Sequence, residues 1–423
     1  HLSILRQRQM CIRDRLPVLL LLIGYSTTIP EIKSTNNNIR IDDFHNHITY
    51  LASDELEGRS SGTQGDELAK DYIVNHFTNA GLPTERVVEV QEHYVYKDRR
   101  NKKNKVLTYN IIATLPGTDD KLKEEYVVVG GHYDSVNNKL DKIHNGADDN
   151  ASGTSMILEL FEKFAVSNTH KRTLVFMAFG GEELGLLGSK HFVNNPTIDL
   201  QKVQLMVNLD MVGRLDNEKN LQLGGTLTAV DFDKKLEPFL DEVENRWQNN
   251  LNITELGKGI FKRSDHYSFY LKDIPVLFFF TGLHEDYHGP TDDSNKINYQ
   301  GMKVISDLVH PIMEEFANTP EKLIFQPVEL EEQSMPTATM KVTLGVMPDY
   351  AHEGDGLKID AVIDNRPGGE AGMLAGDIVI DIGGTPIKDI YAYMKMLSQL
   401  SPGDKAEVKV LRKGSEVVLQ VQF

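Results

Sequence analysis

The chain has 423 residues, room for two domains or for one large domain and a small one. A formal net charge of -17 sets it against phosphate backbones and argues against nucleic-acid binding; the short basic run Lys97 to Lys105 reads as a solvated hairpin tip. The single cysteine, Cys11, excludes internal disulfides and a cysteine-ligated zinc, so any metal must be held by His, Asp and Glu, donors that suit zinc, manganese or cobalt.

Residues 1–15 (HLSILRQRQMCIRDR) read as an artefactual start, and 1–30 as that start plus a signal peptide. Arg13 and Arg15 precede a short apolar run, Leu16 to Ile23, that is too short to span a membrane. The expectation is a secreted or periplasmic protein of a bacterial cell envelope, with no integral membrane span in the mature chain. From Asn46 to about Ala317, strand and helix patterns alternate. Gly65 to Ala80 carries Leu68, Ala69, Tyr72, Ile73 and Phe77 at helical spacing, with Gly81 as a stop. Tyr126 to Gly130, Leu174 to Phe179, Val203 to Leu209 and Val276 to Phe280 are short apolar runs that suit strands buried on both faces. Thr154 to Phe164 reads as an amphipathic helix with Met156, Ile157, Leu160, Phe161 and Phe164 on one side. This alternation predicts an α/β fold, a largely parallel mixed sheet sandwiched by helices, over residues 31–319. Residues 320–337 are rich in Pro and Glu and read as a linker. Residues 338–423 hold short strands, Gly-rich turns and one helix near Tyr391 to Leu400, a small β-rich domain.

Each of the four apolar runs is followed closely by acidic residues or histidines. His132 and Asp134 follow the first, Glu182 and Glu183 the second, Asp210 the third, and His284 and His288 the fourth. If the strands are parallel neighbours, these side chains converge at the carboxyl end of the sheet, where open α/β folds bind ligands. Asp148 or Asp149, in the turn GADDNASG, can point into the same crevice. Two histidines and three or four carboxylates exceed what one zinc needs, and five donors with one shared carboxylate suit two ions about 3.5–4 Å apart. Adjacent Glu182 and Glu183 allow one to bind metal while the other takes a proton from the attacking water. An acidic residue at a strand end is usually a cap or a solvated turn residue, so the joint occurrence carries the weight.

The motifs GHYDS, GADDNASG, GEELGLLGS, NLDMVGR and YHGPTDD resemble those of the co-catalytic zinc exopeptidases, which include leucyl-type aminopeptidases, glutamate carboxypeptidases and glutaminyl cyclases. The resemblance implies the zinc exopeptidase fold and two zinc ions. His132 and Asp210 would hold one, Glu183 and His288 the other, and Asp149 would bridge them. Glu182 would be the general base, Asp134 would hydrogen-bond the far nitrogen of His132, and Tyr287 would stabilise the oxyanion. His284 keeps the reading of a surface loop residue. Two further segments, Arg263 to His266 and Leu56 to Gly65, are candidates for the cleft or merely structural turns; the second also matches G-x-S-x-G, but no strand precedes it, which rules out a serine-hydrolase elbow. The C-terminal segment resembles a PDZ domain of the bacterial protease type, with Leu344, Gly345 and Val346 as its carboxylate-binding loop and peptide C-termini as its ligands.

The expected activity is removal of N-terminal residues from peptide substrates. The alternatives are a carboxypeptidase, which needs basic residues for a terminal carboxylate; a glutaminyl cyclase, which uses one zinc; and an inactive PDZ adaptor, which needs no metal.

Overall fold

The computed structural model describes residues 38–79, 81–98, 103–136, 142–247, 251–256, 260–328, 342–348, 355–362 and 366–423. The expected signal peptide, the tip of the basic run (99–102) and residues 329–341 lie outside the described residues. Among the described residues no helix is long and apolar enough to cross a membrane.

The larger sheet contains β1 (Val87–Asp98), β2 (Lys103–Leu115), β3 (Tyr126–His132), β4 (Thr173–Phe179), β5 (Val203–Leu209), β6 (Asn220–Gly224), β7 (Asn252–Glu255) and β8 (Val276–Phe280), in the spatial order β1-β2-β4-β3-β5-β8-β6-β7. The four expected strands are its centre, and β4, β3, β5 and β8 run parallel. β4, β5 and β8 are buried along their whole length, as strands covered on both faces must be. The long antiparallel pair β1–β2 flanks this centre beside β4, and β6 runs antiparallel to β8 on the other side.

Around it lie α1 (Ile41–Leu51), α2 (Gln64–Phe77), α3 (Gly153–Ser167), α4 (Leu187–Asn194), α5 (Phe232–Trp247), α6 (His266–Tyr270) and α7 (Tyr299–Asn318). Side chains alternate across β4, and the alternation assigns each face its helices. Phe176 meets Phe161 and Phe164 of α3 on one face. Val175, Met177 and Phe179 share the other face's core with Phe192 of α4 and Phe269 of α6. The helix expected at Thr154 to Phe164 is α3, and it is buried almost all round rather than on one side, with Glu159 and Glu162 enclosed as well.

Composition marks 320–337 as linker, yet its first nine residues pack on the larger domain. Ala229 and Phe325 form an isolated antiparallel bridge, the Tyr270 hydroxyl accepts a hydrogen bond from the Val328 N–H at 3.0 Å, and Phe325 and Val328 cover the core around Tyr270. Two apolar side chains outweigh the polar composition around them.

The C-terminal domain is an antiparallel sheet of β9 (Val346–Pro348), β10 (Leu357–Val362), β11 (Ile378–Ile382), β12 (Thr385–Pro386), β13 (Lys405–Arg412) and β14 (Ser415–Gln422), with α8 (Pro367–Glu370) and α9 (Ile390–Gln399). It has its own apolar core, which includes Leu344, Ile359, Val379, Leu397 and Val410.

Candidate metal centre and active site

Parallel pairing aligns the strand ends. His132 of β3 sits opposite Phe179 of β4, Gly130 opposite Asn208 of β5, and Leu209 of β5 opposite Phe279 of β8. The residues that leave these ends therefore enter one crevice.

The turn before α3 locks the crevice together. Asn150 is fully buried. Its side-chain amide donates to the His132 and Leu209 carbonyls at 3.2 and 2.9 Å, and its oxygen accepts from the Gly153 and Met211 N–H groups at 2.9 and 3.2 Å. Glycines let the chains approach this closely: a Cβ on Gly131 or Gly153 would lie 2.3 or 2.2 Å from the Leu209 carbonyl oxygen. Asp292 fixes the same turn by accepting from the Asp148 and Asp149 N–H groups, both at 3.0 Å.

The two neighbouring aspartates then part. Asp148 points away from the crevice and accepts from Gly213 N–H at 2.7 Å and from His284 Nε2–H at 3.1 Å. Asp149 stands between two imidazoles, with Oδ1 3.3 Å from His132 Nε2 and Oδ2 3.1 Å from His288 Nε2. Asp210 Oδ1 lies 3.3 Å from His132 Nε2, and Glu183 Oε2 lies 3.3 Å from His288 Nε2. Two donor groups result, His132–Asp149–Asp210 and Asp149–Glu183–His288; within each, the donor atoms lie no more than 4.8 Å apart. Asp149 belongs to both.

His132 Nδ1–H donates to a carbonyl at 2.9 Å, which leaves Nε2 with its lone pair toward the crevice. That carbonyl is the main chain of Asp134. The expected partner, the Asp134 carboxylate, lies 3.7 Å from the same nitrogen, within ion-pair reach, and also accepts from the Glu182 N–H at 3.1 Å and from the Ser61 hydroxyl at 3.3 Å. Asp134 thus orients the ligand histidine through its backbone and the segment carrying Glu182 through its side chain. His284 is more than a surface loop residue. Arg214 donates to its Nδ1 at 3.3 Å and so keeps its proton on Nε2, facing Asp148.

Glu182 and Tyr287 border the crevice, and the Tyr287 ring stacks on His288 with centroids 3.8 Å apart. Burial, with nearby Asp149 and Glu183, pushes the Tyr287 phenol well above its usual range, so it stays a proton donor. Burial also raises the Glu182 and Glu183 carboxyls, Glu182 strongly. Burial opposes charging the histidines, but the surrounding carboxylates outweigh it and raise both His132 and His288, the latter to about 11. A site with this surplus of anionic oxygen, two imidazoles and no thiol fits divalent cations of the zinc type.

Three contributors stood only as cleft or turn candidates in the sequence. The Ser264 hydroxyl donates to Asp210 Oδ2 at 2.7 Å and accepts from Asn208 at 2.7 Å. Arg263 borders the crevice. Arg59, wholly enclosed, donates to the carbonyls of Tyr133, Asn145, Gly146 and Leu51, which holds the loop after β3 against the turn before α3. Burial pulls its guanidinium down to about 10. Next to the donor groups Met211, Ile260, Phe278, Phe280 and Leu283 form an apolar wall.

The profile of peptidase family M28 matches residues 110–313, the segment that supplies every one of these donors. That segment, just under half of the chain, belongs to peptidase family M28. A PDZ domain profile matches residues 335–423. A probable leucine aminopeptidase of Arthroderma otae is 32% identical over 228 residues, 51% of this chain and 59% of that protein, so the M28 match spans under two thirds of the relative's length. The structure of a zinc aminopeptidase from Bacillus subtilis superimposes with a TM-score of 0.53 at 18% identity, over 68% of this chain and 99% of the other. Fimbriiglobus ruber glutaminyl cyclase gives 0.53 at 20% identity, over 67% and 97%. At those identities the likeness is one of fold.

Proposed function

We propose that this chain is a zinc-dependent aminopeptidase that binds two zinc ions and releases apolar N-terminal residues from peptides. The observation that carries the reading is Asp149, one carboxylate shared by two histidine-containing donor groups. His132 and Asp210 would hold one ion, Glu183 and His288 the other, and Asp149 both. Zinc held there lowers the pKa of a water to about 7 and polarises the carbonyl under attack. Glu182 takes the proton from the attacking water and passes it to the leaving amine. The Tyr287 hydroxyl donates to the oxygen on which charge develops. The wall of Met211, Phe278, Phe280 and Leu283 receives an apolar first side chain, and the surplus carboxylates attract a free α-ammonium. Relatives named as leucine aminopeptidases support both points.

Arg263 beside the same crevice favours a second reading, a carboxypeptidase that pairs a terminal carboxylate with this guanidinium. One peptide set with free, acetylated or amidated ends separates the two. The aminopeptidase cleaves only substrates with a free N-terminus and tolerates amidation, and blocking by amidation alone reverses the assignment. The zinc lost on Asp149→Ala substitution separates two ions at this centre from the single ion of a cyclase or the absence expected of an adaptor.

In the C-terminal domain we propose that peptide C-termini add to β9 beside the loop of Leu344, Gly345 and Val346. Leu344 contributes backbone rather than side chain, since its side chain lies in the core and its carbonyl accepts from Gly368 N–H at 2.7 Å. We also propose export of the chain, with removal of its first 30 or so residues, about the length of a signal peptide; N-terminal sequencing of protein recovered outside the cytoplasm checks it.

A further inference from the structure

Away from the crevice, three helices bring together another set of metal-donor side chains. His47 of α1, His76 of α2 and Glu159 of α3 each place a donor atom within 4.8 Å of the other two, and all three are buried. His47 Nε2 is 3.0 Å from Glu159 Oε1, and His76 Nε2 is 3.7 Å from Glu162 Oε2. Glu159 and Glu162 are spaced to share one face of α3. The two imidazoles meet edge to face, centroids 4.9 Å apart.

Several features distinguish this cluster from an ordinary polar core. The His76 ring is only 3% exposed and makes no side-chain hydrogen bond; its polar neighbours are the Leu158 main chain and, at 3.7 Å, Glu162. His47 Nδ1 lies 2.7 Å from the Tyr72 hydroxyl, the supporting contact that ligand histidines make through their other nitrogen, while Nε2 faces the cluster. Among the described residues Glu159 has no ion pair with Lys or Arg; its carboxylate meets His47. A buried carboxylate is retained when a proton, a hydrogen bond or a cation compensates it, and a divalent ion would compensate Glu159.

We propose that His47, His76 and Glu159 form a structural zinc site that clamps α1, α2 and α3. Two imidazoles and one carboxylate supply three of the four ligands that zinc takes, with a water to complete the shell. The clamp bears on the active site through α3, whose N-terminal turn carries Asp149.

Crystals of the full chain grown with zinc chloride and measured on both sides of the zinc absorption edge should show an anomalous peak bounded by His47, His76 and Glu159, apart from any at Asp149. In solution His76→Gln should lower the zinc content by one ion per chain, whereas Asp149→Ala should leave that ion in place. Zinc added to chelator-treated Asp149→Ala protein should raise its Tm, and the rise should disappear when His76→Gln is added. Wild-type crystals without the peak at saturating zinc overturn the site, as does an unchanged zinc content in His76→Gln. The diffraction result stands even if His76→Gln does not fold.

Discussion

Glu182 and Glu183 are adjacent in the chain, yet only Glu183 reaches an imidazole, His288, while Glu182 borders the crevice without entering either donor group. The two should therefore separate by experiment. Glu182→Gln should lower kcat by about 10²–10⁴ with zinc content near wild type. Asp149→Ala should lower both, because it removes a donor from each group. Parallel metal analysis and steady-state kinetics check the contrast, and equal loss of zinc in the two variants would defeat the division of roles. Asp66 offers a test through pH. It is fully enclosed, accepts from the Tyr133 hydroxyl at 2.5 Å and from Gly62 N–H at 2.7 Å, and burial raises its carboxyl to about 7. An acid whose folded value is raised binds its proton more tightly when folded, so its contribution to stability falls as pH rises from about 4 to 7. The span is on the order of 4 kcal/mol. Asp66→Asn should flatten that part of the stability profile in urea titrations at successive pH values; an unaltered slope would contradict it.

At the scale of elements, the turn from Gly146 to Ser152 does what neither strand nor helix does alone. Asn150 joins the ends of β3 and β5, while Asp292 sets the backbone of Asp148 and Asp149. Asn150→Ala leaves buried N–H and C=O groups without partners, and each such loss costs about 1–3 kcal/mol. Its unfolding free energy should fall by at least about 2 kcal/mol, with weakened zinc binding, measured by denaturant melts and zinc titration. The four central strands are readable in sequence because each is an unbroken apolar run. The β1–β2 pair and the docking of Phe325 and Val328 are not, because polar residues surround their apolar contacts, and only distant partners such as Tyr270 make those contacts worth forming.

For the whole molecule, Asp149, Glu182, Glu183 and Asp210 gather where the strand ends converge. Cations that bind the folded crevice and not the unfolded chain stabilise by mass action. Dialysis against a chelator should lower Tm, and zinc should restore it; calorimetry shows the shift, and a chelator-insensitive Tm would speak against resident metal. The donor residue types and their order along the chain could be read without a fold, because all but Asp149 lie at or shortly after the end of an apolar run, and Asp149 lies in a Gly-flanked turn that opens a helix. The sequence likewise determined the α/β class and the presence of a second, β-rich domain, since hydrophobic period and turn residues are local properties. The family resemblance already chose Asp149 over Asp148; only the tertiary structure decided that the Asp134 carboxylate also accepts from the Glu182 backbone, that His284 supports Asp148, and that His47, His76 and Glu159 meet at all. Such pairings depend on strand register and helix packing, and these are set by contacts between residues far apart in the chain.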